Sequence, residues 1–207
     1  MYFCSENEFL KQLINYYSLK NLHMEANKIQ DWNRTTEAIY KNVMLLTIAG
    51  IAAAVFGMIP LLGWLSKICN ICVVAGYIAF YIRLKDLELL ADPNDAPGVN
   101  KLCIGVLLYI LGIMLKEIPV AGWILCPICL IISFIFMLLG YSALKKSETF
   151  PGKDGMKLLF ISSIIGLVAA VFGLIPLLGT VVAGILYIAV FVLVLLGWKK
   201  VATPVTE

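Results

Sequence analysis

Polar and apolar residues are not interleaved along this chain; they fall in blocks. Apolar stretches cover residues 43–59, 64–82, 102–118, 120–144, 158–175 and 177–198. Each is close to the roughly 17–25 residues an α-helix needs to cross the hydrocarbon layer of a bilayer. Lys67 in the second block and Lys116 and Glu117 at the close of the third sit within about one turn of a block end, where long side chains reach headgroups. Strand-like alternation is absent, which argues against a membrane barrel. Backbone groups in lipid must pair internally, which leaves helices. The pattern predicts an all-α, polytopic membrane protein with six transmembrane helices. Composition agrees: 61% of the 207 residues are hydrophobic and 14% charged, against about a quarter charged in soluble domains, so water is not the main solvent for most of the chain.

The blocks repeat. Ala53 to Gly63 recurs as Ala169 to Gly179, with Met58 against Leu174 the one difference, and Gly50 matches Gly166. A looser middle copy matches Ile118 to Trp123 with Ile59 to Trp64. Leu138-Leu139-Gly140-Tyr141 parallels Leu195-Leu196-Gly197-Trp198, each followed closely by a lysine pair. The reading is one helical hairpin used three times, over 43–82, 102–144 and 158–198, with a period near 58 residues. Its turns carry Pro60 and Gly63, Pro119 and Gly122, Pro176 and Gly179. Proline ends or kinks the first helix of each pair, and glycine permits a sharp turn. Gly50, Gly57, Gly166 and Gly173 lie four residues from Ala54, Ala53, Ala170 and Ala169. Such small residues let helix backbones approach where lipid supplies no hydrophobic drive. Packing within one chain is the favoured use; self-association into a homo-oligomer, or packing on another membrane protein, also fits.

Charge sets the expected orientation. Fourteen of the sixteen Lys and Arg residues fall in the leader 1–42, the linkers 83–101 and 145–157, and the tail 199–207, leaving Lys67 and Lys116 on the other face. Positive charge stays cytoplasmic, so both termini are expected inside, in a multi-pass cytoplasmic (inner) membrane protein whose main partner is the lipid bilayer. Basic residues placed by this rule are no argument for nucleic acid. The leader has no signal-peptide core. Ser5 to Glu8 reads as a capping box, followed by Phe9, Leu10, Leu13, Ile14 and Tyr17 at helical spacing, which predicts a short amphipathic helix on the membrane surface or on a partner. Trp32 and Tyr40 suit an interfacial approach to the first span. Asp92 to Gly98 and Phe150 to Gly155 read as connectors.

Candidate chemistry is sparse. Cys69-x-x-Cys72 and Cys126-x-x-Cys129 form a doubled motif near the turn ends of two spans. Packing by small apolar residues is the favoured reading; a thiol–disulfide site and a four-thiolate metal site are the sharper alternatives. His23 has no neighbouring ligands. No Asp, Glu or His falls in mid-span, where functional ionisable groups of pumps and proteases sit. Asn70, Ser133, Ser162, Ser163, Thr47, Thr180, Tyr77, Tyr109 and Tyr187 are available for interhelical hydrogen bonds but are scattered along the chain. No nucleotide fingerprint or nucleophile elbow is present. No metal or cofactor is expected.

Three tandem hairpins with glycine-rich first helices and prolines at the turns resemble the small six-helix membrane proteins of the HdeD acid-resistance type, over Val43 to Trp198. The resemblance implies a stress-related inner-membrane protein without defined catalysis, and it carries over no functional residue. The expectation is a non-enzymatic membrane protein, stress-linked or a subunit of a membrane complex. Small-solute permeation and thiol oxidoreduction are the alternatives.

Overall fold

The computed structural model describes residues 3–115, 118, 121–175 and 178–204, with side chains from residue 26 onward except at positions 58, 60, 121, 123, 178 and 180. It is all helical: α1 (Phe3–Met58), α2 (Gly63–Leu90), α3 (Ala96–Leu115), α4 (Ala121–Lys146), α5 (Lys153–Phe172) and α6 (Leu178–Val201). Among the described residues all six contain a stretch long and apolar enough to cross a membrane. The protein is an integral membrane protein, and its exterior fits lipid: Leu45, Ile48, Ile71, Leu111, Ile161 and Ile185 all point outward.

Each helix packs on its chain neighbours, and α6 returns to pack on α1, so the six close into a ring. The α1–α2, α3–α4 and α5–α6 faces are the most extensive; α2–α3 is the least. Glycines set the closest approaches. Gly98, Gly105 and Gly112 of α3 meet Leu144, Met137 and Leu130 of α4, and Gly155 of α5 meets the backbone of Gly197 in α6. Buried hydroxyls add bonds between helices: Ser133 Oγ donates to the Gly105 carbonyl at 2.7 Å, and Thr47 Oγ1 to that of Phe191 at 3.3 Å. Ser162 and Ser163 donate instead to Leu159 of their own helix.

The first helix starts well before its apolar block. It is continuous from Phe3, and its span begins at Ala26, ahead of the expected Val43. Trp32, Thr36, Ile39, Val43, Leu46 and Ala53 are buried along one stripe of it, at the three- and four-residue spacing of a packed helix face. The leader is thus joined to the first span without a break; its capping-box side chains and Cys4 lie outside the described side chains. Likewise α2 runs on to Leu90 and α3 begins at Ala96, so the first connector shortens to 91–95. At this linker end Thr149 Oγ1 donates to buried Asp95 at 2.7 Å, and Trp32 stands edge-on to Phe150 at 5.2 Å. The two connectors are therefore tied to each other, and the second to α1.

The turn glycines are used for more than one purpose. Pro60 opens a single 3-10 turn over Pro60–Leu62. Gly63 follows at φ −56°, ψ −29°, a helical pair open to any residue. The positive φ belongs to Gly152, at 80° in the second connector, where glycine meets no Cβ penalty. Gly122 lies inside α4 and Gly179 inside α6. Gly179 serves close approach, since a Cβ there would run into the Phe172 carbonyl. Pro119, Pro176, Lys116 and Glu117 lie outside the described residues.

Candidate functional site

The ring is solid at its linker end and hollow at its turn end. In the solid half Leu84, Leu87, Leu102, Leu144, Met156, Leu159 and Trp198 are almost fully buried. Toward the turns, side chains become small and a cavity of about 580 Å³ opens, to which all six helices contribute. Gly50, Ala53, Ala54 and Gly57 of α1, Ala170 and Gly173 of α5, and Ala183 and Gly184 of α6 form smooth walls. Ser66, Asn70, Cys126, Tyr109 and Tyr187 bring the polar groups. Ser66 is already committed, donating to the Ala53 carbonyl at 2.9 Å. Pro127 also lines the cavity, inside α4, where proline interrupts the helix ladder. None of the lining residues is charged.

The floor is aromatic. Tyr77 and Tyr109 lie 4.5 Å apart, Tyr109 and Phe134 5.8 Å, and Phe134 and Tyr187 6.5 Å, between ring centres. This chain of rings crosses from α2 through α3 and α4 to α6. One glycine makes room for this chain and a second for the neighbouring Phe191. A Cβ on Gly50 would fall inside the Phe191 ring, and one on Gly166 inside the Phe134 ring. The sequence period places Tyr109 at the position of Gly50 and Gly166. There the notch is filled from within by Tyr109, and Tyr77 packs beside that ring instead of into a glycine. The joint so wedged, α2–α3, is also the one with the least packing.

The four helix-packing glycines therefore divide. Gly50 and Gly166 accept aromatic rings, Gly50 lining the cavity as well, whereas Gly57 and Gly173 line the cavity and accept no ring. The cysteines divide too. Cys126 faces the cavity, the Cβ of Cys129 lies 3.3 Å from where a Gly112 side chain would begin, Cys69 is half-buried and Cys72 is exposed. No disulfide joins the described cysteines. Helices α2 and α4 nowhere approach within 8 Å between Cα atoms, beyond the ~7 Å limit for a disulfide. A relay between the pairs and a shared metal site are therefore not assembled. Among the described residues no three His, Cys, Asp or Glu converge on one point. Mild oxidation with copper phenanthroline is accordingly expected to give no crosslink between the Cys69/Cys72 and Cys126/Cys129 pairs, read by peptide mapping; a crosslink would contradict this placement.

No family model matches the chain, and comparison with curated proteins and with solved structures finds no significant match. The functional reading rests on the cavity itself.

What the scattered polar residues do was not visible in the sequence. Asn70, Tyr109 and Tyr187 come from α2, α3 and α6 and meet in one lumen. Helical rise puts them at about one depth, roughly 9–14 Å inside the turn ends of their helices. A signal existed in the period: Val73, Leu130 and Tyr187, and Asn70, Pro127 and Gly184, are rows of equal spacing that all line the cavity.

Proposed function

We propose that this protein is a non-enzymatic permeation protein for a small uncharged molecule, which enters the central cavity from the turn end. The observation that carries the reading is the 580 Å³ lumen walled by all six helices and free of charged side chains. Moving an ion into such a lumen would forfeit hydration without replacement, whereas a neutral solute loses little. Lining residues recur with the hairpin period, and transporters often arise from internal repeats. The excess of Lys and Arg at the linker end supports a cytoplasmic linker end in an inner membrane, an orientation in which the cavity faces outward and the aromatic floor separates it from the cell. A stress-linked role, as the HdeD-type resemblance implies, is compatible with this activity. The thiol reading is less well supported, because the two cysteine pairs stand on helices that do not meet.

The alternative is a passive subunit of a membrane assembly or homo-oligomer, for which the cavity is incidental. The two separate on filling it. Gly57→Trp and Gly173→Trp place a large ring at exposed lining positions without entering the packed half. In proteoliposomes loaded with a panel of small neutral solutes, the native protein is expected to raise flux of at least one. Each tryptophan variant should lower that flux several-fold while folding normally. Flux no higher than in empty liposomes across the panel, or flux indifferent to both substitutions, would refute the proposal.

A further inference from the structure

Asn70 is the least explained polar group in the lumen. It lies inside a spanning helix and lines the cavity, yet among the described residues its carboxamide makes no hydrogen bond. Ser66 beside it is satisfied by a backbone carbonyl, so a protein partner was within reach of this stretch of helix and Asn70 did not take one. A carboxamide in a bilayer ordinarily finds a partner on a neighbouring helix, and a polar residue kept inside a membrane segment without one marks a ligand path by default. The Tyr187 hydroxyl, on α6, whose Cα atoms nowhere come within 8 Å of those of α2, lines the same lumen and likewise has no hydrogen bond among the described residues. Tyr109, the ring that replaces glycine in the period, lines the lumen with them. Toward the turns the lining is mostly Gly, Ala and Ile, with Ser66 bonded to the Ala53 carbonyl and the Cys126 thiol as its polar groups.

We infer that Asn70 and Tyr187 form the hydrogen-bonding seat for the polar end of a neutral amphiphile, a molecule with one hydroxyl or carbonyl on an otherwise apolar, preferably flat body. The inference rests on the cavity being a ligand site. The carboxamide donates and accepts, and the phenol does both, so a hydroxyl or a carbonyl is served equally. Tyr109, Tyr187 and Phe191 line the cavity and offer ring surface to the body of the ligand, the kind of contact that aromatic partners favour. A carboxylate or ammonium group is not served, because no lining residue carries the opposite charge. The division of labour is the usual one for a small-molecule site, an apolar enclosure with few polar groups fixing orientation.

Three probes of one shape test this on the full-length protein in detergent: 2-naphthol, naphthalene and 2-naphthoate, followed by saturable change in naphthyl fluorescence. 2-Naphthol is expected to bind about tenfold tighter than naphthalene, the worth of one net hydrogen bond, and 2-naphthoate weaker than both. Asn70→Leu and Tyr187→Phe should each bring the naphthol affinity down toward that of naphthalene and leave naphthalene binding unchanged, which a merely structural role for these residues would not do. Gly57→Trp should weaken all binding. Naphthalene binding as tightly as naphthol, with both sensitive to Gly57→Trp, would overturn the polar seat while leaving the cavity as a ligand site. A naphthol preference that survives both seat substitutions would overturn it equally. No saturable binding of any probe would overturn the seat and count against the cavity reading together.

Discussion

Gly166→Leu is expected to prevent the bundle from folding, and Gly166→Ala to lower its stability by about 2 kcal/mol, in the range found for overpacked cores. The cause is local. A Cβ at this position would occupy the space of the Phe134 ring, and both groups lie on backbones pinned at the α4–α5 face, so neither withdraws cheaply. Gly50 faces Phe191 in the same way and should respond alike. Phe134→Leu combined with Gly166→Ala should recover part of the loss, giving a coupling energy of the size expected for residues in contact, about 1 kcal/mol or more. Gly57→Ala and Gly173→Ala serve as controls. The nearest atoms their new methyl groups meet are the Ser66 hydroxyl at 3.2 Å and the Ala170 carbonyl at 3.3 Å, and at Gly57, inside α1, alanine improves helix propensity by up to ~1 kcal/mol. Thermal unfolding midpoints in detergent would order the four. Equal effects at all four positions would show that ring-into-glycine packing is not what joins the repeats.

Trp198→Ala is expected to cost about 3–5 kcal/mol, the range for large aromatics removed from a packed interior. Trp198 is fully buried at the linker end and stands edge-on to Phe80 at 5.6 Å, joining α6 to α2 across the ring. Lipid gives no hydrophobic drive to close the gap, so the penalty is lost dispersion contact with every neighbour of the indole. Trp198→Phe keeps the edge-on contact and should lose less than half as much. Because this half of the ring is separate from the cavity, a folded Trp198→Phe protein should bind or pass solute normally. A mild Trp198→Ala variant would mean that the linker end is not the solid half of the molecule.

The membrane architecture could be read directly from the chain, because lipid imposes apolar runs of fixed length and each of the six blocks has one. The start of the first helix could not be read that way. Lys28, Asp31, Arg34, Glu37 and Lys41 break the apolar run, and block-counting therefore stopped at Val43. The period does better there: Trp32, Thr36, Ile39 and Val43 lie on one stripe, and all four are buried. The turn motif showed where helices end but misassigned the work of its glycine, since Gly63 takes an ordinary helical conformation and Gly179 answers to the Phe172 carbonyl. The cavity was the least legible feature. Asn70, Tyr109 and Tyr187 are separated by tens of residues, and only closure of α6 onto α1 puts them in one space. The doubled cysteine motif shows the limit of spacing in the opposite sense: identical spacing in two repeats looks like a pair of pairs, but the ring keeps the Cα atoms of α2 and α4 more than 8 Å apart.

The central claim is a ring hollow at one end and filled at the other, and spin-label accessibility in nanodiscs tests it most directly. In a cysteine-free background, single labels at Ala54 and Ala183 would report the cavity, Ile48 and Ile185 the lipid face, and Leu84 and Leu159 the packed half. A water-soluble nickel chelate is expected to relax the first pair and oxygen the second, with neither reaching the third. Labels at Ala54 and Ala183 as closed to the chelate as those at Leu84 and Leu159 would contradict it.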